Sequence, residues 1–281
     1  MNRHGIISPT LNIGGRLLSL DCPQIMGILN ATEESFYKAS RVSSAVSVVA
    51  RAKEMIAEGA SVLDVGGCST KPGLAPVSES EEMRRLSTAL EAIRSELPDA
   101  VLSVDTFRAS VARRCVEEFG VQIINDVYGG AADERMFDTV ADLQVPYVLT
   151  YDGAPWNEMM HSLAERIQRL RLMGVNDVVV DPGFGFGKTL DENYYLMQHL
   201  EELHLLECPL LVGVSRKSMI YKRLGCSPEE ALNGTTALHT IALMKGAHIL
   251  RVHDVKAAVE AVRIVERLKS STPHYTLRSK H

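Results

Sequence analysis

From Ser61 to Asp105 the chain reads SVLDVGGCSTKPGLAPVSESEEMRRLSTALEAIRSELPDAVLSVD, and this stretch settles the architecture. Its ends, Ser61–Val65 and Val101–Val104, are short Val- and Leu-rich runs, apolar on both faces like strands buried in a parallel sheet. Between them the spacing becomes helical. Ser78-x-x-Glu81 has the form of a capping box, and Met83, Leu86, Leu90 and Ile93 mark one face of the helix that follows. The alternation continues in both directions. Strand-like runs recur at Ile25–Leu29, Val121–Ile124, Pro146–Leu149, Val178–Val180, Leu210–Val214 and His248–Val252. Helical faces are predicted at Val46, Val49, Ala50 and Ile56 (closed by Gly59), at Met160, Leu163, Ile167 and Leu170, and at Val255, Val259, Val262 and Val265. Eight strands alternating with about eight helices predict an α/β fold of the (β/α)8 TIM-barrel type, with a doubly wound open sheet as the alternative.

The 281 residues are 46% hydrophobic and 23% charged, the balance of a globular protein with a full core. Thirty basic residues face 35 acidic ones, a formal net charge of -5, which argues against nucleic acid or an anionic membrane as partner. No apolar run reaches the ~18–20 residues of a membrane span. Met1–Leu20 lacks the apolar centre of a secretory signal, so a cytoplasmic location is expected. The five cysteines are scattered, with no C-x-x-C pair, and read as reduced thiols rather than zinc ligands. No linker-like composition divides the chain. One domain over 1–281 is expected, with residues 1–22 capping the barrel floor and 270–281 as a frayed tail.

In such a barrel chemistry gathers where strands end. Those positions carry Asn30, Asp64, Asp105, Asn125, Asp181, Ser215 with Lys217, and Arg251 with His253. Asp105, Asn125 and Asp181 offer acceptors suited to a heterocycle edge rich in N–H donors. Lys217, Arg251 and His253 come from the last two strand ends, where barrels often bind phosphate. Asn30 supplies a neutral oxygen that can complete the shell of a Mg2+ held by phosphate oxygens. A phosphorylated or pyrophosphorylated heterocycle fits this division. The run Asp181-Pro-Gly-Phe-Gly-Phe-Gly-Lys-Thr189 is not a Walker loop, because Pro182 stands where the first glycine belongs. Its glycines allow close backbone approach to a flat ligand, with Phe184 and Phe186 as stacking faces or as loop packing.

Seven motifs then occur in order: Ile28-Leu29-Asn30 with Ser35-Phe36, Asp64-Val-Gly-Gly-Cys-Ser-Thr70-Lys-Pro72-Gly, Ser103-Val-Asp105-Thr, Asn125-Asp126-Val, the Asp181 glycine loop, Ser215-Arg-Lys217-Ser, and Arg251-Val-His253-Asp-Val. Over roughly residues 23–268 the chain resembles the dihydropteroate synthases. The resemblance implies a TIM-barrel transferase of folate biosynthesis and target of sulfonamides, cytoplasmic and homodimeric. Such an enzyme joins p-aminobenzoate to 6-hydroxymethyl-7,8-dihydropterin pyrophosphate with Mg2+ bound. It implies that Asp105, Asn125, Asp181 and Lys217 bind the pterin, and that Asn30, Arg251 and His253 serve pyrophosphate and Mg2+, Asn30 as the metal ligand. It places Thr70, Lys71 and Pro72 in a substrate-covering lid and puts Pro72, Phe186 and Ser218 against p-aminobenzoate. Catalytic roles fall on Asp105, Lys217, Arg251 and His253. The order of events it implies is departure of pyrophosphate, then attack by the arylamine.

The sequence departs from the family pattern in three places. The first lid, usually Asn-Val-Thr-Pro-Asp-Ser-Phe, reads Asn30-Ala-Thr-Glu33-Glu34-Ser-Phe36 and loses its proline. Lys71 replaces an arginine, keeping charge without the planar fork. Thr150-Tyr151 replaces a Met-His pair. These changes suggest altered lids and altered sulfonamide sensitivity in a working enzyme. A pterin-dependent methyltransferase and a non-catalytic pterin-binding barrel are the alternatives, disfavoured by the intact basic residues at Lys217, Arg251 and His253. The sequence leaves Asp64 as a candidate for orienting the second lid.

Overall fold

The structure is a computed structural model and describes residues 9–31, 41–68, 75–153 and 156–271. It opens with an antiparallel hairpin, β1 (Thr10–Ile13) and β2 (Arg16–Ser19), turned by Gly14 and Gly15, both at positive φ. The barrel follows in alternation: β3 (Gln24–Asn30), α1 (Arg41–Glu58), β4 (Val62–Gly66), α2 (Glu79–Glu96), β5 (Leu102–Asp105), α3 (Ala109–Phe119), β6 (Ile123–Asp126) and α4 (Met136–Leu143). The second half is β7 (Tyr147–Thr150), α5 (Trp156–Leu172), β8 (Val178–Asp181), α6 (Leu190–Gln198), β9 (Leu211–Val212), α7 (Ser218–Leu224), α8 (Leu232–Met244), β10 (Ile249–Val252) and α9 (Val255–Ser270). The barrel strands pair in parallel in the order β8-β7-β6-β5-β4-β3-β10-β9, and a parallel bridge between Val180 and Leu210 joins the two ends of the sheet. The fold is the predicted TIM barrel.

Each predicted run becomes a strand for the reason given: its side chains are buried on both faces. Val62–Gly66, Leu102–Asp105, Ile123–Asp126, Tyr147–Thr150 and Val178–Asp181 have no exposed residue. β10 loses one residue of its predicted run and β9 three of Leu210–Val214, since the chain turns at Val214, whose carbonyl accepts from Lys217 N. Inside the barrel floor, Met26, Val62, Ile123, Val148, Val179, Leu211 and Ile249 form one buried cluster with Leu11 and Ile13 of the hairpin. The hairpin therefore contributes two buried side chains, each stabilising by roughly 1.5–3 kcal/mol. Asn12 N–H donates to Asp177 Oδ2 at 2.9 Å and ties it down just before β8.

Helix α2 buries Met83, Leu86, Leu90 and Ile93 as predicted, and Ser78 Oγ accepts from Glu81 N at 3.2 Å. Helix α1 corrects the prediction. It buries Val48, Ala52 and Met55, while Val46 is 64% exposed and Ile56 is also exposed. The run Val48-Val49-Ala50 offers two adjacent apolar stripes, and packing selects the other one. Among the described residues no helix is long and apolar enough to cross a membrane.

Candidate active site

Buried polar residues converge at the C-terminal end of the barrel. Neighbouring strands place Asn30, Gly66, Asp105 and Asn125 in one register row. Gly66 has no side chain, so the space above it is shared: a Cβ there would stand 3.7 Å from Asn30 Oδ1 and 3.8 Å from Asp105 Oδ2. Gly213 plays the same part opposite, where a Cβ would meet Arg251 Cβ at 3.8 Å and Asp181 Oδ2 at 3.9 Å. The two glycines leave a polar well at the barrel mouth.

Arg251 spans this well. Its Nε donates to Asp64 Oδ2 at 2.6 Å and its Nη2 to Asp105 Oδ2 at 2.5 Å. Asp64 is completely buried; its Oδ2 also accepts from Asn125 Nδ2 at 2.9 Å, and its Oδ1 has no partner among the described residues. Asp64, whose role the sequence leaves open, thus binds Arg251 and Asn125 in the well, while the second lid lies outside the described residues. Its signal was present in the sequence, as a carboxylate inside a strand otherwise apolar on both faces. Asp181 Oδ1 accepts from Gly183 N at 2.8 Å.

Burial dominates the electrostatics. It pushes Asp105 up to about 7 against the pull of Arg251, and raises Asp181 against Lys217. It works against Arg251's charge too, but Asp64 and Asp105 outweigh it and hold the guanidinium protonated. Burial pulls Lys217 down to about 8, with Asp181 opposing. The sequence groups His253 with Lys217 and Arg251 as a basic residue. Burial, then Arg251, lowers it to about 4, so it is a neutral imidazole at neutral pH.

The glycine loop after β8 is built around backbone contacts. Gly183 has φ +71° and lies so close to Tyr151 that a Cβ would stand 2.1 Å from its carbonyl oxygen, so no other residue fits. Lys188 Nζ reaches the carbonyls of Gly183 (3.0 Å), Phe186 (3.3 Å) and Tyr151 (3.4 Å) and ties the loop from behind. Of the two phenylalanines, Phe184 is fully buried core and offers no stacking face. Phe186 is half-buried, and the Lys217 ammonium lies 4.6 Å from its ring centroid while donating to Phe184 O. Lys217 caps α7, and Ser218 is the first residue of that helix. Asn30 ends β3 and is exposed at the rim. Thr70, Lys71 and Pro72, and Glu33 to Phe36 of the first lid, lie outside the described residues.

Of the predicted residues, the structure thus brings Asp105, Asn125, Asp181, Lys217 and Arg251 into one well, with Asn30, Phe186 and His253 on loops or strand ends and Ser218 at the start of α7 around it. Sequence reasoning missed Ser215, Arg216 and Asp254 as partners of the last two loops. Ser215 Oγ meets His253, and Arg216 pairs with Asp254.

Comparison with known proteins agrees with this geometry. Residues 26–253 match the family described as pterin binding enzyme. The dihydropteroate synthase of Escherichia coli strain K12 is 40% identical over 272 residues, covering 92% of this chain and 95% of that protein. The Xanthomonas albilineans dihydropteroate synthase solved with 4-aminobenzoic acid superposes with a TM-score of 0.88 at 37% identity, covering 95% of this chain and 100% of that one. The Yersinia pestis enzyme in a sulfonamide drug complex gives 0.84 at 36% identity, over 94% of this chain and 100% of that one.

Proposed function

The chain belongs to the pterin-binding enzyme family and is a transferase of the dihydropteroate synthase kind, and on that premise we propose how its own residues divide the work. The reaction condenses 6-hydroxymethyl-7,8-dihydropterin pyrophosphate with p-aminobenzoate to give 7,8-dihydropteroate and pyrophosphate. The observation that carries the assignment of roles is Arg251 lying between Asp64 and Asp105, beside Asn125 and Asp181. Acceptors for ring N–H groups and a cation for the leaving group meet in one well.

Asp105, Asn125 and Asp181 accept from the pterin edge. Ring N–H groups compete with Arg251 for Asp105, so pterin binding and the placement of Arg251's charge are linked. The bond from the exocyclic methylene carbon to the pyrophosphate oxygen breaks, and its electron pair leaves with pyrophosphate. The electron-rich dihydropterin ring delocalises the cation that remains. The p-aminobenzoate nitrogen donates its lone pair to that carbon and loses a proton to water. Arg251 and Lys217 stabilise developing charge electrostatically, and neutral His253 contributes an N–H donor. Phe186, Ser218 and Pro72 contact p-aminobenzoate, and Thr70 and Lys71 also bind substrate.

Asn30 Oδ1, across the gap above Gly66 from Asp105 Oδ2, suits a hard cation. Among the described residues no group of three or more His, Cys, Asp or Glu side chains is disposed to hold a metal. Asn30 would be the protein ligand of a bound Mg2+. When bound, Mg2+ neutralises charge on the leaving group.

Two broader assignments complete the reading. Helices α8 and α9 pack side by side, and Leu232, Ile241 and Met244 of the first with Ile264 and Leu268 of the second remain exposed. A second copy of the chain covering them makes the enzyme a homodimer. None of the five cysteines is in a disulfide, which supports a reducing, cytoplasmic location. The deciding experiment is pyrophosphate release from the pterin pyrophosphate with Mg2+, with and without p-aminobenzoate. Release coupled to dihydropteroate formation is expected; pterin binding without release refutes the synthase reading.

A further inference from the structure

Strands β9 and β10 are neighbours, and the loops leaving them carry the basic residues of the rim. These loops are stitched together at two consecutive positions. Ser215 is 4% exposed; its Oγ accepts the backbone N–H of His253 at 3.2 Å and lies 3.0 Å from His253 Nδ1. One residue further along both loops, Arg216 grips Asp254 with two bonds, Nε to Oδ2 at 2.8 Å and Nη2 to Oδ1 at 2.9 Å. The remaining Nη1 donates to the carbonyls of Pro228 (3.0 Å) and Glu229 (2.7 Å). Arg216 sits at φ 54°, a left-handed conformation, and its N–H donates to Thr235 Oγ1 at 3.1 Å.

Counting protons assigns the histidine tautomer. A hydroxyl has one proton to give. Ser215 Oγ already accepts from the His253 backbone, and among the described residues the only other group bonded to it is His253 Nδ1. If Nδ1 were the donor, the buried hydroxyl proton would have no acceptor, which is unfavourable. If the hydroxyl donates, every group is satisfied, Nδ1 is the acceptor, and a neutral ring carries its proton on Nε2.

We propose that Ser215 is a positioning residue that holds His253 as its Nε2–H tautomer, with the Arg216–Asp254 pair keeping the two loops in the register this requires. The consequence for turnover rests on the synthase reading: a departing pyrophosphate meets an N–H donor at Nε2, whereas the other tautomer presents a lone pair to an anion. That the ring is neutral follows from its burial beside Arg251.

The test uses the full-length protein labelled with 15N at histidine, the His253 signals being assigned by difference against His253→Gln. The parent should show an unprotonated Nδ1 and a protonated Nε2. Ser215→Ala should lose that preference and Ser215→Thr, which keeps the hydroxyl, should restore it. Turnover should follow the tautomer: Ser215→Ala lowers kcat about tenfold or more, with KM for both substrates within about twofold, and Ser215→Thr recovers most of it. A proton on Nδ1 in the parent overturns the proposal, as does an Ala variant with the parental ring spectrum. A tautomer that follows Ser215 while kcat does not overturns the positioning role. A parent that releases no pyrophosphate refutes the synthase reading instead, and the ring spectra still decide what Ser215 does.

Discussion

Replacing Asp64 tests the centre of the site, because this carboxylate touches two of the groups assigned to substrate while reaching no surface. In Asp64→Ala, Asn125 Nδ2 loses its acceptor at 2.9 Å, and Arg251 loses one of its two counter-charges, at 2.6 Å. A buried donor without a partner costs about 1–3 kcal/mol, and breaking a buried ion pair about 3–5 kcal/mol. Three offsets reduce the sum. The desolvated charge of Asp64 disappears, so does its unpartnered Oδ1, and Arg251 keeps Asp105 at 2.5 Å. The net loss should be about 2–3 kcal/mol, which lowers Tm by roughly 3–5 °C in a chain of this size. Asp64→Asn keeps one acceptor, which serves either Arg251 or Asn125 but not both, and should lose about half as much. Thermal melts by circular dichroism measure stability, and calorimetric titration with a pterin measures binding, expected to weaken about tenfold as Asn125 and Arg251 lose alignment. An Asp64→Ala protein melting within about one degree of the parent, with unchanged pterin affinity, would refute the reasoning.

Asp105→Ala should weaken pterin binding by roughly 2–4 kcal/mol, since charged partners in a desolvated site lose more than neutral ones; affinity within about threefold of the parent contradicts that role. Arg251→Ala should slow turnover more than it weakens binding of a pterin lacking pyrophosphate, and equal losses would place its charge elsewhere. His239, His248 and His253 are each lowered to about 4, by burial first, from the 6.5 of an unfolded chain. Between pH 6.5 and 4 the unfolded state therefore binds more protons, and stability falls as pH drops through that window. His248 Nδ1 accepts Leu210 N–H at 3.0 Å beside the barrel seam, so His248→Gln, which keeps an acceptor, should make the acid loss shallower; an unchanged slope in urea midpoints counts against this. Chelation of Mg2+ should abolish turnover while leaving binding of the pyrophosphate-free pterin within about twofold, as titration in EDTA would show.

The barrel was legible because burial on both faces leaves a mark in composition. A strand such as Val178–Val180 has no polar side to show, and its neighbours turn at Gly or Asp. The hairpin at Thr10–Ser19 was less visible: the Gly14-Gly15 turn is a genuine signal, but its strands are too short to alternate convincingly. In α1, Val46, Val48 and Val49 made two stripes equally apolar, and only tertiary packing distinguishes them. At the site, residue types at strand ends announced Asp105, Asn125 and Asp181, since a carboxylate or amide there faces the mouth whatever the loop does. Side-chain pairing was not legible. Arg251 was assigned to the leaving group from its position at a late strand, and nothing in its neighbours along the chain told that it reaches Asp64, far away in sequence. The charge of His253 was misjudged for the same reason, because burial is a property of the assembled loops.

The charge arrangement explains why one substrate suits this well. Asp64, Asp105 and Asp181, all buried, stand against the part-buried Arg251 and Lys217, where water screens poorly. With Asp105 pushed to about 7, near neutrality its proton occupancy is set by what lies beside it. A cation at Arg251 favours the carboxylate, and ring N–H donors favour it further, whereas a second anion next to it favours the acid. A ligand with donors at one end and phosphates at the other satisfies both demands if the donors face Asp105 and Asp181 and the phosphates lie toward Arg251. Reversing the ligand puts phosphate against two carboxylates. Under the proposed roles, orientation is therefore selected electrostatically. Asp105→Asn should retain a hydrogen-bonding side chain yet lose this selection: it should weaken the pyrophosphorylated pterin less than it weakens the bare pterin, because a repulsive partner for phosphate has gone while an acceptor for ring N–H groups is also weakened. Parallel titrations with the two ligands measure the difference, and an equal loss for both would show that Asp105 does not sense the phosphate end.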